Sequence, residues 1–222
     1  ERMWFGHLLE PIVADEYLRR ADNVKQIYSV GATLQHKNYL WALANIDRLI
    51  EYKDGTLGVL ECKTAGEYSK ENWDSGDIMM TYIYQLNWYL WILGLEKGAF
   101  ACLVGGNKFY YYDVFRNDDL LYGTILPQVK SFWLDYVLKL QEPPLQSVDT
   151  KFINSTYNSV TKNSEKILDT DVANDLAKTV IECKQKISDL TVTMEEAKNR
   201  LKDMLQSSEI GYTKDCTVKW SP

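Results

Sequence analysis

A chain of 222 residues, 45% hydrophobic and 25% charged, has the composition of a soluble globular protein with room for one ordinary domain and an appendage. Its formal net charge of −6 excludes nucleic-acid binding through a global cationic excess and leaves only a local basic track. Four cysteines without a CxxC pair and only two histidines argue against zinc, an iron–sulfur cluster, a disulfide scaffold or a Ser–His–Asp triad, so any metal here must be held by oxygen.

The chain opens on Glu1, without a methionine, in what already reads as a helix, so an N-terminal piece is expected to precede it. Trp4, Leu8 or Leu9, Val13 and Tyr17 recur at helical spacing to about Arg20, with Pro11 predicted to kink or restart the helix. From Lys25 to Lys63 the period becomes two. Hairpin-like runs cover Tyr39–Tyr52 and Thr56–Thr64, joined by the turn signal Lys53-Asp54-Gly55. Ser69 to Gly76 reads as a polar loop, and a helix follows from about Ile78 to Leu93, closed by Gly94. Phe100–Val104 and Phe109–Phe115 are strands joined at Gly105-Gly106-Asn107, and Leu120–Leu140 returns to helix.

Beyond Pro143-Pro144 the chain turns polar. Residues 1–140 read as the core and 141–168 as a linker or mobile loop; 169–222 read as a helical arm with a closing hairpin, part of the same domain. In the arm, apolar residues from Val172 to Leu205 step by fours and threes, giving one amphipathic helix of roughly 50 Å. No apolar run reaches the roughly 18 residues that span a bilayer. The fold class is α+β, a mixed central sheet flanked by helices, with a long C-terminal helix and a terminal hairpin.

The chemistry concentrates in Asn45-Ile46-Asp47 and, after the turn, Leu60-Glu61-Cys62-Lys63. On a hairpin, Asp47 and Glu61 come side by side, and alternation puts Glu61 and Lys63 on one face with Cys62 on the other. Two carboxylates and a main-chain carbonyl make a site for a hard cation, and a lysine beside it can orient the attacking water. Glu-x-Lys by itself also describes a solvated strand face. The apolar residues before each charge favour the site.

Asp47 with Glu61-Cys62-Lys63 resembles the D…ExK signature of the PD-(D/E)XK nucleases, whose sheet is the restriction-endonuclease-like core. Gly6-His7-Leu8-Leu9-Glu10-Pro11 resembles the helix motif of the YqaJ-type viral recombinase, or lambda-exonuclease-like, family, and Gln85 with Tyr89 resembles its Q-x-x-x-Y helix motif. The resemblance covers about residues 1–120 and departs from the pattern at Ile46, where many members carry proline. It implies that Asp47, Glu61, Glu10 and the main-chain oxygen of Cys62 hold Mg²⁺ or Mn²⁺, two ions in all. It further implies that Lys63 is catalytic, with Gln85 beside it and Tyr89 lining the site. Arg48, Lys70 and Trp73 are candidate DNA contacts.

The function so implied is a phage or prophage 5′→3′ exonuclease on linear double-stranded DNA ends, acting in the bacterial cytoplasm. It would leave 3′ single strands for an annealing protein. A homotrimeric ring is implied by the resemblance alone; the long helix could equally pack within its own chain. A structure-specific or restriction-type endonuclease and a non-cleaving DNA-binding module stay open as alternatives.

Overall fold

Both faces of the strand Leu57–Ala65 are apolar, since Val59 and Leu60 point opposite ways and both are fully buried. A strand of that kind belongs in the middle of a sheet covered on both sides. The computed structural model, which describes residues 2–168 and 170–220, shows this arrangement. In chain order the first part holds α1 (Arg2–Arg20), β1 (Val24–Ser29), β2 (Leu34–Gln35), β3 (Leu43–Ala44), β4 (Arg48–Tyr52) and β5 (Leu57–Ala65). It continues with α2 (Lys70–Ser75), α3 (Met80–Leu93), β6 (Lys97–Val104) and β7 (Lys108–Phe115). The sheet runs β1-β4-β5-β6-β7; β5 and β6 are parallel and the other pairs antiparallel. A parallel pair needs a crossover, and α3 is that crossover.

The two apolar layers hold the sheet between helices. Val13, Ala14 and Tyr17 of α1 pack with Ile50, Tyr52, Leu60, Ala99 and Ala101. Leu86, Leu90 and Trp91 of α3 pack with Val59, Phe100 and Cys102 on the other face. Gly55 (φ +83°) makes the β4–β5 turn, where Asp54 Oδ1 accepts from the Thr56 amide at 2.9 Å. Gly94 (φ +66°) closes α3 as its sequence position predicted. Among the described residues no helix is long and apolar enough to cross a membrane.

Several expectations need correction. α1 runs unbroken through Pro11, which lies on the exposed side, where the carbonyl deprived of a partner can meet water. Trp4 and Leu8 are 62% and 53% exposed, because the helix meets the sheet only from Val13 onward. Ser69–Gly76 is a helical turn, not a loop: α2 ends on Gly76 in the left-handed region and is anchored by buried Trp73. The helix after β7 begins earlier than read, at Asp118, where Asn117 Oδ1 accepts from the Leu120 amide at 2.9 Å. It comprises α4 (Asp118–Leu120) and α5 (Leu126–Ser131), with π-helical turns at Leu121–Ile125 and Phe132–Val137.

Contacts divide the chain into Glu1–Leu145, just described, and Gln146–Pro222. The second unit opens with a 3₁₀ turn (Ser147–Asp149) and α6 (Thr150–Thr156), so residues 141–168 are not structureless. Asp149 supplies the reason, its carboxylate accepting from the Gln146 amide at 2.8 Å. α7 (Asp171–Leu205) has 35 residues and starts on Thr170, whose Oγ1 accepts from the Ala173 amide at 3.1 Å. β8 (Ile210–Tyr212) and β9 (Thr217–Lys219) form the closing hairpin, with Lys202 Nζ 3.8 Å from the centre of the Trp220 ring.

Candidate active site

Register builds the first half of the site. Arg48 pairs with Leu60 across β4 and β5, so Asp47, one residue before β4, stands opposite Glu61. Asp47 Oδ2 accepts from the Cys62 amide at 2.7 Å, which fixes the carboxylate at the strand end. Lys63, two residues after Glu61 and on its face, donates to Glu61 Oε1 at 2.7 Å.

The crossover helix builds the second half. Lys63 Nζ also donates to Gln85 Oε1 at 3.1 Å, and Gln85 Nε2 donates to Tyr89 Oη at 3.0 Å, one helical turn further on. The Tyr82 ring, three residues before Gln85, lies with its centre 4.7 Å from Lys63 Nζ. On the opposite face α1 brings Glu10, which accepts from Arg48 Nη1; the same nitrogen donates to the Asp47 main-chain oxygen at 2.5 Å. His7 Nδ1 lies 3.9 Å from the other Glu10 oxygen.

Burial sets the electrostatics. Glu61 is only 3% exposed and its Oε2 has no hydrogen-bond partner. Burial, and then the neighbouring Asp47 charge, push its carboxyl up to about 7, against the pull of Lys63. Asp47 is also raised, mainly by burial, while the Cys62 amide holds it down. Burial raises the Cys62 thiol as well, so its sulfur is neutral and no nucleophile.

Two facing carboxylates, both raised chiefly by burial and one with an unpartnered buried oxygen, form an oxygen donor set that fits a hard divalent cation. Among the described residues no three His, Cys, Asp or Glu side chains converge on one point. Glu10 is turned to Arg48 instead, so Asp47 and Glu61 are the pair that fits the ion.

Glu10, Asp47, Glu61, Cys62, Lys63 and Gln85 line one cleft of about 540 Å³, and Tyr89 joins them through Gln85. The other three candidates are placed differently. Trp73 is 6% exposed, stacks on Tyr112 and accepts that tyrosine's hydroxyl at its main-chain oxygen, so it anchors α2 and offers no face to DNA. Lys70 pairs with Asp74 one turn along α2, at 2.6 Å. Arg48, its side chain 13% exposed, binds Glu10 and the Asp47 main-chain oxygen, so it is a partner of Glu10 and not a free DNA contact. Sequence reasoning missed this pairing and the Tyr82 ring under Lys63. The second had a signal, one turn before Gln85 on the same helix; the first, spanning 38 residues, had none.

Residues 1–96 match the model of the YqaJ-like viral recombinase domain. All of this chain aligns, at 34% identity over 227 residues, with 69% of the uncharacterized protein YqaJ of Bacillus subtilis (strain 168). Among solved structures the chain is similar to the alkaline exonuclease LHK-Exo of Laribacter hongkongensis, with TM-score 0.54 and 18% identity over 71% of this chain and 75% of that one. The same exonuclease in complex with dAMP gives TM-score 0.53 and 19% identity over 70% and 73%. At that identity the likeness is one of fold. The identity to YqaJ, spread over the whole chain, goes further: this protein belongs to the YqaJ-like viral recombinase family.

Proposed function

We propose that the protein is a divalent-metal-dependent deoxyribonuclease that digests linear double-stranded DNA 5′→3′ in phage-type recombination. The observation that carries this is Glu61, a buried carboxylate with one bare oxygen, set against Asp47 and Lys63 at the sheet's end. Membership of a viral recombinase family and the fold of an exonuclease support it. So does the dAMP bound by that exonuclease, since a deoxynucleoside monophosphate is what such digestion releases.

In this reading Asp47, Glu61 and the main-chain oxygen of Cys62 would hold Mg²⁺ or Mn²⁺, two ions in all, with Glu10 joining them on leaving Arg48. Bound there, the ions would draw negative charge from the scissile phosphate. Lys63, tethered between Glu61 and Gln85, holds and orients the water that attacks phosphorus. Tyr89 fixes the Gln85 amide, and through it the direction of the lysine. Burial of the site keeps these charges strong by excluding bulk water. The protein works as a homotrimeric ring in the bacterial cytoplasm and hands 3′ single strands to an annealing protein.

The test is digestion of linear duplexes with 5′-phosphate or 5′-hydroxyl ends, beside a closed circular plasmid, with Mg²⁺, Mn²⁺ or EDTA. Expected are shortening of the linear DNA from its 5′ ends, an intact circle and no reaction in EDTA. Cutting of the circle would replace the reading with an endonuclease; activity in EDTA would end it.

A further inference from the structure

The catalytic cleft does not stop at Lys63. Thr64, the next residue, lines it and also lines an adjoining depression of about 710 Å³. Phe5, Gly66, Tyr68, Met79 and Tyr82 form much of that depression. Tyr82 joins the two, because its ring also lies under Lys63 Nζ. The depression is within the range of small-molecule sites, roughly 300–1,000 Å³.

Its lining is unlike that of its neighbour. None of its residues carries a charge, whereas Glu10, Asp47, Glu61 and Lys63 crowd the catalytic cleft. Three large apolar side chains stand open to water there: Tyr68 is 83% exposed, Met79 55% and Phe5 52%. Such exposure, gathered in one concavity, marks a binding surface. A side chain on Gly66 would put its Cβ 2.5 Å from the Tyr68 ring, so the ring rests against bare backbone.

A substrate whose phosphate sits among the charges of the first cleft has to place something flat, neutral and apolar in the second. We propose that this depression is a stacking subsite for an unpaired nucleobase next to the scissile phosphate, with Tyr68 and Phe5 as its π-surfaces and Met79 as its soft edge. The assignment rests on the nuclease reading above and names the part of the substrate that the catalytic residues leave unheld. Stacking accepts every base, so the subsite fixes the strand without reading its sequence. A purine, with the larger face, gains more than a pyrimidine.

The test uses the full chain and two short duplexes with frayed 5′ ends. One carries 2-aminopurine at the terminal positions, the other an abasic analogue. Ca²⁺ replaces Mg²⁺ for binding, and Mg²⁺ is restored for cleavage. Expected are quenching of the 2-aminopurine on binding and roughly tenfold weaker binding of the abasic duplex by the wild type. Tyr68→Leu loses both the quenching and the discrimination, mainly as a rise in KM, while Tyr68→Phe keeps them. Gly66→Ala, which displaces the ring, behaves as Tyr68→Leu. Because Tyr68 is so exposed, all three variants should unfold at nearly the wild-type temperature. A Tyr68→Leu chain that still discriminates overturns the subsite, as does one that alters sedimentation instead. Failure of the wild type to bind or cut either duplex overturns the nuclease reading itself, a distinct result.

Discussion

The two sides of the candidate catalytic cleft are held by different means. Asp47, Glu61 and Lys63 are placed by the register of β4 on β5, so their positions are fixed by the sheet's whole hydrogen-bond ladder. Glu10 is placed by one ion pair to Arg48, on a helix whose first two turns leave Trp4 and Leu8 in water. The sheet side sets two carboxylates against one cation, Lys63; on the helix side Glu10 is matched one to one by Arg48. Under the proposed reading, Glu10 would have to leave Arg48 to join a cation held by Asp47 and Glu61.

The sharpest way to break that comparison is on the sheet side. Lys63→Ala or Asp47→Ala should cut digestion of linear duplex by roughly a hundred- to a thousandfold, leaving folding and DNA binding in place. Full activity in either variant would sink the mechanism.

A second test reads the missing charge through pH. Glu61 moves from its ordinary 4.5 to about 7 in the folded, metal-free protein. The folded state therefore holds the proton that the unfolded chain has lost, and stability falls as pH rises from about 4.5 through about 7. Glu61→Gln should remove that decline, gaining on the wild type by at most about 3 kcal/mol at the upper end. Parallel melting curves in EDTA for the two proteins would refute the claim. Added Mn²⁺ should flatten the wild-type decline and leave the variant unmoved.

The smallest effect is on the helix side. Arg48→Met strands Glu10 without a cation and should cost the metal-free protein about 1–2 kcal/mol. If Glu10 is shared between arginine and metal, Mn²⁺ should restore more of this loss than it adds to the wild type. A loss that Mn²⁺ leaves untouched would make Glu10 a structural residue only.

The same contrast explains what could be read from the amino acids alone. Strand register is a local rule, so the meeting of Asp47 with Glu61 and the face shared with Lys63 were legible, while the Gln85–Tyr89 step came through the resemblance to a family motif. What failed depended on distant partners. Ser69–Gly76 reads as loop because it is polar; it is helix because Trp73 finds Tyr112, 39 residues away. Arg48 reads as a surface cation because nothing nearby in sequence announces Glu10. Residues 147–156 were hidden for another reason: so short a helix has almost no periodicity, and only the Asp149 cap gives it away.

The parallel pairing of β5 with β6 has a consequence for how this protein can vary. β5 carries Glu61 and Lys63 as it leaves the sheet, and the chain must return along α3 before β6 can begin. Residues 66–79 therefore lie outside any strand pairing of the central sheet, and Gly66, Tyr68, Ser69 and Met79 among them line the depression beside the cleft. Lengthening that stretch would reshape the depression and leave every catalytic atom in place. A single residue inserted between Leu57 and Glu61 would turn the lysine to the other side of the sheet. Under the proposed function, contacts to substrate and the chemistry would thus sit on adjoining pieces of one chain with opposite tolerance for change in length.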